Sequence, residues 1–168
     1  ETASELNGPA LRSLIGFIAH DLARRDRPVT LLSCDNRVGN GDALRQAVQH
    51  FAQAAQLNID WSLARFPNAM VDRITPATTD KIRQESNDPM AVPTEAFREW
   101  VIEDNFAGPR PDWPDVQFVQ DVRPHELRKL RMLNGAHSFL AYAGLAQGYD
   151  YVHEAISDPQ LRRQALTL

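Results

Sequence analysis

Toward the carboxyl end of the chain, Glu126, Lys129, Asn134 and His137 place a carboxylate, an amine, an amide and an imidazole in one short stretch. A lysine can accept a proton, an asparagine can donate hydrogen bonds to a developing oxyanion, and a histidine can orient a hydroxyl. With Lys129 at zero on a helical wheel of about 100° per residue, Glu126 falls at about 60°, His137 at about 80° and Asn134 at about 140°. Leu130, Leu133 and Leu140 share that face, while Arg128 and Arg131 point away. The wheel predicts a polar group embedded among leucines, where loss of water favours the neutral amine that a general base needs. The plainer reading is also open: Glu126 and Lys129 as a helix pair three residues apart, with Asn134 and His137 merely solvated. His137 has no second histidine at ligand spacing, and His20, His50, His125 and His153 are dispersed, so no zinc site is expected.

The elements around this stretch alternate in type. Pro9, Leu11, Leu14, Ile15, Ile18 and Leu22 predict an amphipathic helix that stops at Pro28. Residues 29–33 read as a short buried strand entering the polar loop 34–41, and a helix follows over 42–55. Such alternation predicts an open α/β sheet, whose ligands bind at the carboxyl ends of the strands. Residues 64–74 read as extended, and residues 75–94 as a connection without sustained period. Residues 97–102 and 116–119 read as strands. From Pro124 the pattern turns helical, to about Ala146, with a break at Gly148 and another at Asp158-Pro159. The shift predicts a boundary near 121–124, between an α/β part and a mainly helical part.

A formal net charge of -4 and scattered arginines leave no basic footprint for nucleic acid. One cysteine, Cys34, rules out an internal disulfide and fits a reducing, cytoplasmic setting; it reads as a small buried residue. No apolar run reaches membrane-spanning length, and the first residues lack the features of a signal peptide, so no membrane partner is expected.

The run Lys129-Leu130-Arg131-Met132-Leu133-Asn134-Gly135-Ala136-His137-Ser138 resembles the catalytic motif of the mannitol dehydrogenase family. The resemblance extends to Ser33-Cys34-Asp35-Asn36, to the block from Phe66 to Pro76, and to Trp100-Val101-Ile102-Glu103-Asp104, in the same order. It implies that residues 1–123 are the carboxyl-terminal part of a Rossmann-like dinucleotide-binding domain and 124–168 the beginning of a mainly helical substrate domain, and it implies hydride transfer, without zinc, between NAD or NADP and a secondary alcohol of a linear polyol or sugar acid. By motif position Lys129 resembles the general base, and Asn36 and Asn134 the amide donors to the substrate oxygen. His137 resembles a ligand of a substrate hydroxyl, Glu126 a residue lining the proton path, and Asp72 a polar group near substrate and nicotinamide. Arg73 is a substrate-side candidate that could equally buttress its loop. Asn36 alone could close an Asx turn, and Asp72 could cap a turn.

Gly39-Asn40-Gly41 lacks the third glycine of G-x-G-x-x-G, so the resemblance covers the middle of a longer family polypeptide without its phosphate turn. The expected activity is interconversion of a polyol and its ketose. The alternatives are a hexonate oxidoreductase of the mannonate type, and a catalytically incompetent folded module. The substrate, the choice of NAD or NADP, and the oligomeric state are not legible.

Overall fold

The computed structural model of the chain describes residues 13–168. The start of the first expected helix, at Pro9 and Leu11, lies outside the described residues. The chain divides into two compact units, one ending at Val122 and the other running from Arg123 to Leu168.

In the first unit, helix α1 (Leu14–Leu22) begins at Ser13, whose side chain accepts a hydrogen bond from the Gly16 amide. It buries Ala19 and Leu22 and partly buries Ile15 and Ile18, whereas Leu14 is exposed, so the apolar stripe is narrower than its spacing implies. Strand β1 (Val29–Thr30) pairs in parallel with β2 (Ala64–Arg65). The ladder reaches one bond further, from the Leu31 amide to the Arg65 carbonyl. β1 is shorter than the expected 29–33 because the backbone beyond Leu31 hydrogen-bonds to a side chain instead of a strand, as described below. Helix α2 (Asn40–Ala54) packs Val48, Phe51 and Ala52 with Ala19, Leu22, Ile59, Ala64 and Phe66 into one core.

A second sheet follows. β3 (Ala69–Asp72) pairs antiparallel with β4 (Glu99–Glu103), which pairs in parallel with β5 (Val116–Val119). Met70, Val101 and Val122 bury one face of it. The connection at 75–94, expected to be irregular, contains helix α3 (Asp80–Ser86), capped by Thr79 Oγ1 on the Ile82 amide. None of its residues is buried, so it carries no apolar period to read.

The second unit opens with α4 (Arg123–Arg128), passes through a π-helical segment (Lys129–Asn134) and continues as α5 (Gly135–Ala146). Two short helices, α6 (Val152–Ala155) and α7 (Pro159–Ala165), fold back to bury Leu140, Ala155 and Leu161 together. Gly144 lets α5 and α6 touch, since a Cβ there would sit 2.6 Å from that of Ala155. Among the described residues no helix is long and apolar enough to cross a membrane.

Candidate active site

Each unit carries its own group of candidate residues. In the first unit, Asn36 sits exposed in the loop that follows β1. Ser33 turns inward and is buried, while Cys34 turns outward and is exposed. This corrects the expectation of a buried Cys34: on a two-residue alternation only one of the neighbours can face the core, and the hydroxyl does so because its Oγ accepts the Asp35 amide at 3.3 Å.

Three of the sequence blocks interlock here. Gly41 lies against the backbone of Phe66 and Pro67, where an added Cβ would be 2.4 Å from the Pro67 carbonyl oxygen. Asn68 accepts the Asp42 amide at 2.9 Å and donates to the Asp42 carboxylate at 3.0 Å. Its own amide donates to Glu103 Oε2 at 3.0 Å, and the Glu103 amide returns a bond to the Asn68 carbonyl. The Trp100 to Asp104 block therefore braces the Phe66 to Pro76 block, which in turn receives the start of α2.

Asp72 ends β3 opposite Glu99. It lines a cavity of about 450 Å³ together with Cys34, Arg73, Arg98, Trp100 and Trp113. The two indoles stack with centroids 5.3 Å apart, and Arg98 pairs with Asp115 at the rim. The Arg73 guanidinium donates through Nε and one terminal nitrogen to the Glu95 carbonyl, at 3.3 and 3.2 Å, and Glu95 Oε1 accepts the Ile74 amide at 2.7 Å. Arg73 is thus held by its own loop while still lining the cavity.

In the second unit Glu126 is buried, Lys129 and Asn134 are half-buried, and His137 is exposed. The leucines expected to enclose the lysine are not buried: Leu130 is 39% exposed and Leu133 50%, leaving only Leu140 in a core. The reason is local geometry. Residues 129–134 are π-helical, and the Gly135 amide closes on the Leu130 carbonyl five residues back instead of four. This wider winding turns Lys129 and Asn134, about 140° apart on an α-helical wheel, toward one face. The single α-helix expected over 124–146 does not form; its middle is the π segment. Such segments recur at functional sites, where they aim side chains that an α-helix would separate.

Sequence reasoning missed Asn40, Glu103, Trp100 and Trp113. The glycines flanking Asn40 were a usable signal, since a glycine pair around a polar residue marks close backbone approach. Among the described residues no cluster of three or more His, Cys, Asp or Glu is placed to hold a metal ion.

A parallel strand pair with flanking helices, followed by a helical unit whose π segment bears the lysine, fits the layout of a Rossmann-type dehydrogenase. Residues 4–115 match the mannitol dehydrogenase Rossmann domain and residues 121–168 match the mannitol dehydrogenase C-terminal domain. The chain belongs to the mannitol dehydrogenase family. It is 45% identical to D-mannonate oxidoreductase of Escherichia coli, over 96% of this chain and 36% of that protein. It is 42% identical to mannitol 2-dehydrogenase of Pyrenophora tritici-repentis, over 100% of this chain and 33% of that protein. Among solved structures, a D-sorbitol dehydrogenase in substrate-free form superposes with a TM-score of 0.84 at 35% identity, covering 96% of this chain and 37% of the other. The Pseudomonas fluorescens mannitol 2-dehydrogenase complex with NAD and D-mannitol superposes with a TM-score of 0.77 at 39% identity, covering 94% and 35%. The chain therefore spans about a third of the length of the relatives it matches.

Proposed function

We propose that this chain carries the substrate-side machinery of a nicotinamide-dependent oxidoreductase that interconverts a secondary alcohol of a linear polyol and its ketone. The observation that carries the reading is the π segment, which sets Lys129 and Asn134 on one face of a helix in a chain that matches the family on both units. In oxidation the neutral Lys129 amine takes the hydroxyl proton, and the Asn134 amide donates to the oxygen as it gains negative charge and then becomes a carbonyl. His137, three residues further on, orients a neighbouring hydroxyl, and buried Glu126 lines the route by which the lysine proton leaves. In the first unit Asn36 donates its amide to the reacting oxygen. Asp72 and Arg73, at the cavity, contact the distal part of the substrate.

A bound nicotinamide cofactor, NAD or NADP, would supply the acceptor for the hydride of the carbinol carbon. The residues present fit its reactive end better than its diphosphate. The bare face of Gly41, which a phosphate turn would leave open, is filled by the carbonyls of Phe66 and Pro67. A diphosphate cradle is therefore not formed by Gly39-Asn40-Gly41. We assign residues 1–123 to the carboxyl-terminal part of the Rossmann-like dinucleotide-binding domain and 124–168 to the beginning of the helical substrate domain.

The test is turnover of the enzyme that carries this chain with D-mannitol and with D-mannonate, each with NAD and with NADP. Faster oxidation of the hexitol supports the polyol reading; preference for the acid moves the protein to the hexonate branch. No turnover of either overturns the enzymatic reading.

A further inference from the structure

Asn40 is 2% exposed, one of the few polar side chains among the described residues buried so far. Its amide has one fixed orientation. The two Nδ2 hydrogens are shared among the carbonyls of Ser33 at 3.1 Å, Asp35 at 3.0 Å and Ala69 at 2.8 Å, and Oδ1 accepts the Ala69 amide at 2.9 Å. A primary amide carries an N–H donor beside a carbonyl acceptor, the pair that a residue of an antiparallel neighbour strand would present to both backbone groups of Ala69. Asn40 therefore takes the place of a strand residue between the loop after β1 and the start of β3. It satisfies both backbone groups of Ala69 and two carbonyls of a loop that has no ladder partner beyond Leu31.

The glycines on each side make this possible. Gly39 adopts a left-handed φ of 63°, which turns the chain sharply into α2, and Gly41 allows the helix to rest on the Pro67 backbone. The Gly39-Asn40-Gly41 triplet is thus a docking device for the first turn of α2, not a phosphate cradle. The loop it holds bears Asn36, one residue beyond the bonded Asp35. The strand it holds leads in three residues to Asp72.

We propose that Asn40 is a positioning residue: its amide fixes the loop bearing Asn36 to the strand bearing Asp72, and turnover depends on it through Asn36. The inference rests on the assignment of Asn36 to the substrate oxygen and deepens it. Neither aspartate nor glutamine replaces it. A carboxylate at this position keeps an acceptor for the Ala69 amide but sets negative charge against three carbonyl oxygens, and glutamine is one methylene too long for the space.

A double-mutant cycle separates this role from general stability. Asn40→Ala should lower kcat by about 10²-fold, the scale of a misplacement near 1 Å, with the KM for cofactor little changed. In an Asn36→Ala background the same substitution should lower kcat no further. Asn40→Asp should lose as much as Asn40→Ala, because the donors to Ser33 and Asp35 are what hold the loop. Full additivity of the two alanine substitutions, or a wild-type kcat for Asn40→Ala, overturns the proposal. If Asn36→Ala by itself leaves turnover intact, the assignment of Asn36 fails, and the positioning role fails with it. Hydrogen exchange on the unsubstituted protein checks the clamp independently of whether any variant folds. The Ala69 amide should be strongly protected, and exchange at the rate of an exposed loop amide overturns the clamp.

Discussion

Lys129 is the residue on which the proposed chemistry turns. If its amine accepts the hydroxyl proton, Lys129→Ala should slow oxidation by about 10²–10⁴-fold, the usual loss for a general base. Initial rates of wild type and variant measure the effect. Arg131→Ala, on an exposed residue of the same segment, should leave the rate in place. A Lys129→Ala enzyme with wild-type rates would return the residue to an ordinary helix pair with Glu126. At this scale the sequence names candidates but not their environment. The Lys-Asn-His spacing picks out residues to test, whereas a wheel drawn at α-helical pitch misplaces Leu130 and Leu133. Nothing local announces a π turn, because its cost is met by contacts elsewhere in the fold. Asn40 was passed over for a related reason. Its partners at Ser33, Asp35 and Ala69 come together only when the chain folds.

At the scale of elements, the joint between α2 and the Phe66 to Pro76 block is the tightest in the first unit. Gly41→Ala would place a methyl group 2.4 Å from one backbone oxygen and 2.6 Å from another, and backbone cannot swing away as a side chain would. We expect a loss of about 1–3 kcal/mol, the range for overpacking a rigid site, read from the urea midpoint. In the second unit, Asp158 caps α7 by accepting the Gln160 and Leu161 amides at 2.8 and 3.0 Å and also accepts from the Tyr149 hydroxyl at 3.2 Å. These bonds, that of Leu161 foremost, hold its carboxyl below the ordinary carboxylate range. A depressed folded value means the stabilisation is complete above the unfolded value of about 3.9 and is lost as pH falls through the folded one. Asp158→Asn keeps a capping side chain but not the charge, so thermal melts between neutral and strongly acid pH should show a flatter acid limb than wild type. Strand 116–119 was legible from its β-branched residues, and the Asp158-Pro159 pair, read as a break, is where helix α7 begins. Helix α3 was not, because an element with no buried face leaves only its cap, Thr79, as a signal.

On the scale of the whole molecule, the fold class was legible because helix and strand alternate in the first unit and the helical period then takes over. The division of the small sheets, with β3 antiparallel to β4, was not, since strand direction depends on partners far apart in sequence. Among the described residues Gly39-Asn40-Gly41 forms no diphosphate cradle, so the 168-residue chain by itself should bind NADH weakly. Titration calorimetry should give no saturable heat at micromolar concentrations, and tight stoichiometric binding would relocate the cofactor site. The stacked pair of Trp100 and Trp113 has an optical consequence. Two indoles in van der Waals contact share their excited states, and one wall of the cavity lined by Asp72 is made of them. A molecule entering that cavity changes the polarity around the dimer or its stacking, either of which shifts its emission and near-ultraviolet dichroism. The protein thus carries an intrinsic spectroscopic gauge of occupancy, readable without label or coupled assay, with Trp61 in its separate 3-10 turn as a reference chromophore.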